Sequence, residues 1–260
     1  MPGNDLNGVS VLVTRPVEQA VNLTNLIKQQ GGKAVLFPLL EIEPVGLSQS
    51  TRALFAELDC NDLLIFVSAN AVRFAQQYIL DKEPGSLAIA AIGRGTATEL
   101  ARLGLKIKIV PEKPHDSEAL LALPELQNVK DRHVVIVRGE GGREKLADSL
   151  RARGAEVDYA EVYRRVAPDV QISSQISREK VDVITITSGE ALTNLAEMAK
   201  QQNQPWLFEK PLVVIHDRIA QLANKLGFSK PVQVTSEVSD AAILESLVQM
   251  KKSGSLEGSE

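Results

Sequence analysis

Residues 9–125 look like an older copy of residues 133–250, and this internal duplication constrains the fold more than any other feature of the chain. Val11-Leu12-Val13-Thr14-Arg15 parallels Val134-Val135-Ile136-Val137-Arg138. Leu63-Leu64-Ile65-Phe66-Val67-Ser68 parallels the segment Val181 to Ser188. Leu100-Ala101-Arg102-Leu103-Gly104 parallels Ala223-Asn224-Lys225-Leu226-Gly227, and Ser117-Glu118-Ala119 parallels Ser239-Asp240-Ala241. The offsets stay between 120 and 124 residues. Repeats of solenoids run only about 20 to 50 residues, so units this long are whole domains. Two similar lobes are expected to leave a cleft, and such clefts are common ligand sites.

Within each copy, short β-branched runs alternate with segments of helical period. Strands are expected at Val9–Thr14, Ala34–Phe37, Leu63–Ser68, Leu87–Ile92 and Ile107–Val110. A second set is expected at Val134–Val137, Glu156–Tyr159, Val181–Thr187, Leu212–Ile215 and Val232–Thr235. Their nearly continuous apolar character fits parallel strands covered on both faces. Between them Ala20, Leu23, Leu26 and Ile27 form one helical face, ended by Gly31-Gly32; Leu146, Leu150 and Ala152 form another, ended by Gly154. Repeated strand–helix–strand units imply an α/β fold with doubly wound parallel sheets, as two sheets of about five strands each.

Two proline-bounded segments break the rhythm: Pro38 to Val45 and Ala160 to Pro168. Both read as linker strands that could pair antiparallel as a hinge, or equally as ordinary edge strands.

Composition narrows the function classes. The net charge of −4 gives no reason to expect nucleic acid as a partner. Cys60 is the only cysteine, so no internal disulfide can form, which suits a reducing cytoplasm. No secretory signal is visible at Met1-Pro2-Gly3, and no apolar run approaches the roughly 20 residues of a membrane span. His115, His133 and His216 lack metal-ligand spacing, so no metal is expected. No nucleophile elbow or Walker A sequence is present, and Gly93-Arg94-Gly95 lacks the third glycine of a dinucleotide loop. The tail 251–260 reads as disordered.

The better candidates are turns at strand C-termini, where open α/β sheets bind ligands. They are Thr14-Arg15-Pro16, Ser68-Ala69-Asn70-Ala71, Arg138-Gly139-Glu140-Gly141-Gly142 and Ser188-Gly189-Glu190. Ser68 and Ser188 could simply cap the helices that follow. The same free N–H groups could instead hold anions, and several such turns would suit a ligand with many carboxylates. Tyr163 lies in a proposed linker, where a packed core is not expected. There it could fill a hinge, or donate a proton or hydrogen bond to a leaving oxygen.

Taken in order, these landmarks resemble the uroporphyrinogen-III synthase family. The segments that carry the resemblance are Leu12 to Pro16, Phe37 to Ile42, Phe66 to Val72, Ala91 to Ala97, Pro114 to Leu120, Val137 to Gly139 and Val162 to Arg165. Their order and spacing, reaching to about Met250, are more specific than any one of them. The resemblance implies two flavodoxin-like doubly wound parallel-sheet lobes joined by a two-stranded β-ladder linker. It also implies a swap, with residues 1–37 and 169–250 forming one lobe, 46–159 the other, and 38–45 and 160–168 the linker. The implied reaction converts linear hydroxymethylbilane to uroporphyrinogen III, inverting ring D, without a cofactor. Loss of the hydroxyl gives an azafulvene cation; the substituted carbon of ring D attacks it, and the resulting spiro intermediate fragments and recloses.

The family tyrosine falls on Tyr163, which would assist departure of the hydroxyl. Ser68 and Ser188 match serines that line the family site. Thr14, Arg15, Asn70, Ala71, Gly93, Thr96, Arg138, Gly139 and Gly189 complete the expected contacts with the substrate. One turn departs from the family pattern: His216-Asp217-Arg218-Ile219 stands where many members carry a Gly-x-Thr-like turn. Threonine contacts cannot be carried over there, and Arg218 is the candidate replacement donor. The partner implied is the linear tetrapyrrole, with no nucleic acid and no membrane. A cytoplasmic monomer in transient contact with the preceding pathway enzyme completes the expectation. The competing class is a non-catalytic two-lobed binding or sensor module, with a nucleotide-using transferase disfavoured by the missing phosphate loop.

Overall fold

The computed structural model describes residues 4–80, 87–112, 116–172 and 176–256. Pro114 and His115 of the family segment, and residues 257–260 of the expected tail, lie outside the described residues. The chain divides into two compact units, Met1–Glu41 with Val166–Glu260, and Ile42–Arg165.

The first unit is built on strands β1 (Ser10–Val13), β2 (Lys33–Leu36), β8 (Val183–Ile186), β9 (Leu212–Val214) and β10 (Val232–Val234). Its sheet order is β10-β9-β8-β1-β2, with every neighbour parallel. Numbered within the unit this is 2-1-3-4-5, the flavodoxin-like order. Strand β8 is buried at every position, as its β-branched run Val183-Ile184-Thr185-Ile186 leads one to expect, with the Thr185 hydroxyl satisfied by the Leu12 carbonyl at 3.1 Å. Helices α1 (Val17–Gln29), α8 (Gly189–Gln201), α9 (Asp217–Leu226) and α10 (Asp240–Lys252) cover the sheet. Helix α9 stops where Gly227 takes φ 97°, a left-handed conformation that costs a glycine nothing.

The second unit holds β3 (Glu41–Pro44), β4 (Leu63–Phe66), β5 (Ala88–Ala91), β6 (His133–Gly139) and β7 (Glu156–Val166), in the order β3-β7-β6-β4-β5. Its principal helices are α2 (Gln49–Ala56), α3 (Ala69–Ile79), α4 (Arg94–Arg102), α5 (Ser117–Ala122), α6 (Pro124–Gln127) and α7 (Lys145–Ala152). The run β7-β6-β4-β5 is parallel and repeats β2-β1-β8-β9 of the first unit. The counterpart of β10 is the segment expected as a strand at Ile107–Val110. It keeps only one bridge, Ile109 to Ala90. The duplication and the pairing therefore cross: the βαβ that opens each copy joins the sheet of the other copy's remainder.

Two expectations change. Residues 160–168 are not a separate linker strand, because β7 runs unbroken from Glu156 to Val166. Strand β3 lies beside it as the sheet edge, held by the Val45 N–H to the Val162 carbonyl at 3.3 Å and by Arg164 to Glu43 at 2.9 Å. The tail is also ordered further than expected. Helix α10 includes Lys251 and Lys252, and Leu256 is buried in the first unit's core.

The two sheets share one device at their junction strands. Asp182 accepts the Ser10 N–H on Oδ2 at 2.7 Å and donates its own N–H to the Ser10 carbonyl at 2.9 Å. Asp62 does the same with His133, at 2.9 and 3.0 Å. Each aspartate thus fixes the register of a pair that sequence separation disfavours. Asp182→Ala removes a charged acceptor from a partly buried N–H and is expected to cost about 1–3 kcal/mol. Asp62→Ala, at an exposed site, is expected to cost less; urea unfolding of both variants measures the difference.

Candidate functional site

In the second unit the parallel strands β4, β6 and β7 end around one cavity of about 290 Å³. Val67, Ser117, Arg138, Gly139, Tyr159 and Tyr163 line it, together with Arg143 and Arg165. Three guanidinium-bearing residues and a glycine-rich loop therefore meet at the strand ends, where open α/β sheets place ligands. The loop follows Arg138, and its Gly141 and Gly142 take φ 70° and 107°. At 142 the positive φ favours glycine, and a Cβ there would also lie 2.8 Å from the Arg138 guanidinium and displace it.

This loop corrects one expectation. Arg138 does not sit at a helix N-terminus, because α7 begins only at Lys145. The left-handed glycines prevent the helix from starting earlier. Arg138 is instead buried, and its guanidinium lies 4.5 Å from the centre of the Tyr159 ring. It donates to the Gly139 carbonyl at 3.2 Å and to Glu144 Oε1 at 3.0 Å. The Tyr159 hydroxyl donates to the other Glu144 oxygen. That hydrogen bond, with the Arg138 ion pair, holds the Glu144 carboxyl below the usual carboxylate range. Burial and the Glu144 carboxylate push the Tyr159 phenol up.

Tyr163 overturns the expectation of an unpacked linker residue. Its ring is buried in the core of the second unit, stacked on Phe74 with centroids 5.8 Å apart. Its hydroxyl lies 3.1 Å from Ser68 Oγ, which also accepts the Ala71 N–H at 3.0 Å as the N-cap of α3. The capping and tyrosine roles of Ser68 therefore coexist. The N–H of Ala71 is committed to Ser68, while Asn70 sits in the same first turn. A register shift between Arg138 and Gly139 brings Gly139 opposite Tyr163. A Cβ at 139 would meet the Tyr163 ring at 2.5 Å, so only glycine lets the ring lie against β6.

On the neighbouring strand end, Gly93 is the N-cap of α4 without any side-chain cap, and no acid occupies its first turn. Gly93 and Thr96 are buried there. This terminus is more open to an anion than those of α3 and α8, whose serines take an amide each.

The remaining expected residues belong to the first unit. Thr14 is buried and donates its hydroxyl to the Thr185 carbonyl at 2.7 Å, so that hydroxyl is spent within the sheet. Arg15 is ion-paired with Asp240 on α10, which also accepts from Asn22 at 2.8 Å. Ser188 caps α8 through the Ala191 N–H at 3.0 Å. Gly189 and Arg218 line one depression with Gln221, Leu222 and Lys225. Arg218 is exposed at the start of α9.

Sequence reasoning missed Tyr159, Glu144, Arg143, Arg165 and Ser117. A partial signal was present: Tyr159 and Glu161 alternate on one face of the strand, but the register shift at Gly139 turns Tyr163 to the core that holds Ala160 and Val162, which a period of two does not reveal. Among the described residues no group of acids, histidines and cysteines could hold a metal ion, and no helix is long and apolar enough to cross a membrane. Gly139→Ala is expected to cost about 1–3 kcal/mol by forcing the Tyr163 ring off its position. Chemical denaturation measures the loss, and an unchanged midpoint would show that the ring can move freely.

A family model described as uroporphyrinogen-III synthase HemD matches residues 21–244. The uroporphyrinogen-III synthase of Escherichia coli (strain K12) is 35% identical over 246 residues, covering 92% of this chain and all of that one. The putative synthase of Methanothermobacter thermautotrophicus is 32% identical over 195 residues, covering 72% of this chain and 76% of that one. The solved uroporphyrinogen-III synthetase of Helicobacter pylori 26695 is similar in fold, with a TM-score of 0.61 at 17% identity, covering 93% of this chain and 99% of that one. Model, relatives and fold agree over nearly the full length, and the chain belongs to the uroporphyrinogen-III synthase family.

Proposed function

We propose that this chain cyclises hydroxymethylbilane to uroporphyrinogen III, with inversion of ring D and loss of water, in tetrapyrrole biosynthesis. The observation that carries the reading is the 35% identity to a uroporphyrinogen-III synthase across that protein's whole length. The chemistry at the strand ends supports it. A linear tetrapyrrole bears many carboxylates, and the second unit offers Arg138, Arg143 and Arg165 at one cavity. The uncapped start of α4 adds N–H groups. In the first unit Gly189 and Arg218 supply a further anion-binding surface, with Arg218 as the replacement for the family threonine.

In this reading Tyr163 helps the terminal hydroxyl to leave. The C–O bond breaks, the oxygen departs as water after gaining a proton, and the azafulvene cation remains. Attack by the substituted carbon of ring D forms a C–C bond. Fragmentation of the spiro intermediate breaks the older bond of that ring, and reclosure releases a proton from carbon. The Ser68 hydroxyl, 3.1 Å from the phenol, orients it and can exchange its proton. The phenol is therefore a hydrogen-bond donor rather than a nucleophile. A cytoplasmic, monomeric enzyme that receives its substrate from the preceding pathway enzyme is part of the reading; the lone Cys60, an exposed free thiol, supports a reducing compartment.

The test is a cyclisation assay on hydroxymethylbilane with isomer analysis. Uroporphyrinogen III is expected; isomer I alone, the spontaneous product, would refute the proposal. Tyr163→Phe keeps the ring against Phe74 and Gly139, so the melting temperature should change little. General acid assistance is typically worth about 10²–10⁴-fold, and a readily ionised substrate places the loss in turnover at the low end. Wild-type turnover and isomer selectivity in that variant would reduce Tyr163 to core packing.

A further inference from the structure

We propose that Glu144 is a built-in stand-in for a substrate carboxylate, occupying Arg138 until substrate displaces it. The inference rests on the function proposed above.

Its first support is a comparison of the two units. Arg15 and Arg138 end the equivalent strands β1 and β6, 123 residues apart. Asp240 and Ser117 are separated by the same interval, and each is the first residue of its helix. In the first unit Arg15 pairs with Asp240, an acid fixed on α10 and held also by Asn22. In the second unit that acid is replaced by Ser117, which lines the cavity beside Arg138. A serine cannot neutralise the guanidinium. The nearest charge partner is instead Glu144, at the far end of the glycine-rich loop, with Glu161 farther off at 4.0 Å.

The second support is the geometry of the contact. Arg138 is held from behind by the Gly139 carbonyl and by stacking on Tyr159, so its orientation does not depend on Glu144. Its side chain is 6% exposed, whereas that of Glu144 is 53% exposed. The guanidinium is therefore fixed and the carboxylate is the replaceable partner. Gly141 and Gly142 precede Glu144 in left-handed conformations, and glycines permit the backbone change that carries the carboxylate away. An entering carboxylate would inherit the Arg138 donors and the Tyr159 hydroxyl, the two groups that Glu144 now uses. Occupancy by Glu144 also gives the buried Arg138 charge its closest counterion when the site holds no substrate, Glu161 lying farther off at 4.0 Å.

Displacement costs affinity, because substrate must compete with an internal carboxylate. Glu144→Gln keeps the shape and one acceptor oxygen for Arg138 but removes the charge and the second acceptor. KM for hydroxymethylbilane is expected to fall roughly two- to fivefold, the range corresponding to an ion pair of this exposure. Arg138→Ala is expected to raise KM. A rise in KM for Glu144→Gln, or no change, with Arg138→Ala still raising it, would overturn this inference alone and leave the proposed activity intact. An unchanged KM in Arg138→Ala would overturn it by showing that this arginine does not meet substrate. Formation of isomer I alone by the wild-type chain would overturn both readings.

Discussion

The fold depends on two parallel strand pairings between segments distant in sequence: β1 with β8, and β4 with β6. Each sheet is completed only there. Leu12 lies opposite Ile184 in one and Leu64 opposite Val135 in the other. Both strand pairs are apolar and almost wholly buried, so burial favours the pairing strongly. Burial alone does not set register, since a slide of two residues would keep the same faces inward. Asp182 and Asp62 supply what is missing, because each grips one particular N–H of the partner strand. In the first unit Thr14 and Thr185 add cross-strand bonds at the opposite end, at 2.7 and 3.1 Å.

The duplication and its seams have a consequence for function. Equivalent strands deliver an arginine to the same place in each unit, yet the two arginines are not equivalent chemically. Arg15 is paired with an acid on a packed helix, both side chains mostly buried. Arg138 faces a cavity and is balanced by a half-exposed acid on a glycine-rich loop. Duplicated domains thus keep the geometry of a strand end while one charge partner changes from a mostly buried acid to a half-exposed one.

Much of this was legible in the sequence, for identifiable reasons. The strands were readable because buried parallel strands leave short uninterrupted runs of large apolar or β-branched residues, as at Leu63–Phe66 and Val183–Ile186. Gly154 and Gly227 marked helix ends because they adopt positive φ. The offset between copies was readable, but it aligned Ser117 with Ser239. The capping residues are Asp116 and Ser239, a one-residue difference in the cap. Ile107–Val110 was misjudged because its propensity is real while the sheet engages it at one bridge. The site was less legible. Tyr163 and Ser68 could be singled out, but their contact spans 95 residues of sequence and no local pattern encodes it. Nor does composition reveal that Arg138 stacks on Tyr159, since the bulge at Gly139 decides what faces what.

Stiffness and freedom are divided within this site by the same few residues. The ring of Tyr163 is fixed by Phe74 on one side and by the bare backbone of Gly139 on another, and its hydroxyl is tied to a helix cap. A phenol held in this way does not have to be oriented again at each turnover, which is the advantage of mounting a functional group on a packed strand. Immediately beyond Gly139 the chain turns through Gly141 and Gly142, where backbone freedom is greatest. In the proposed reaction, one strand end would then supply both a rigid donor and an adaptable anion contact. A polycarboxylate whose shape changes from linear to cyclic requires both, because the reacting centre must stay aligned while the carboxylates around it move.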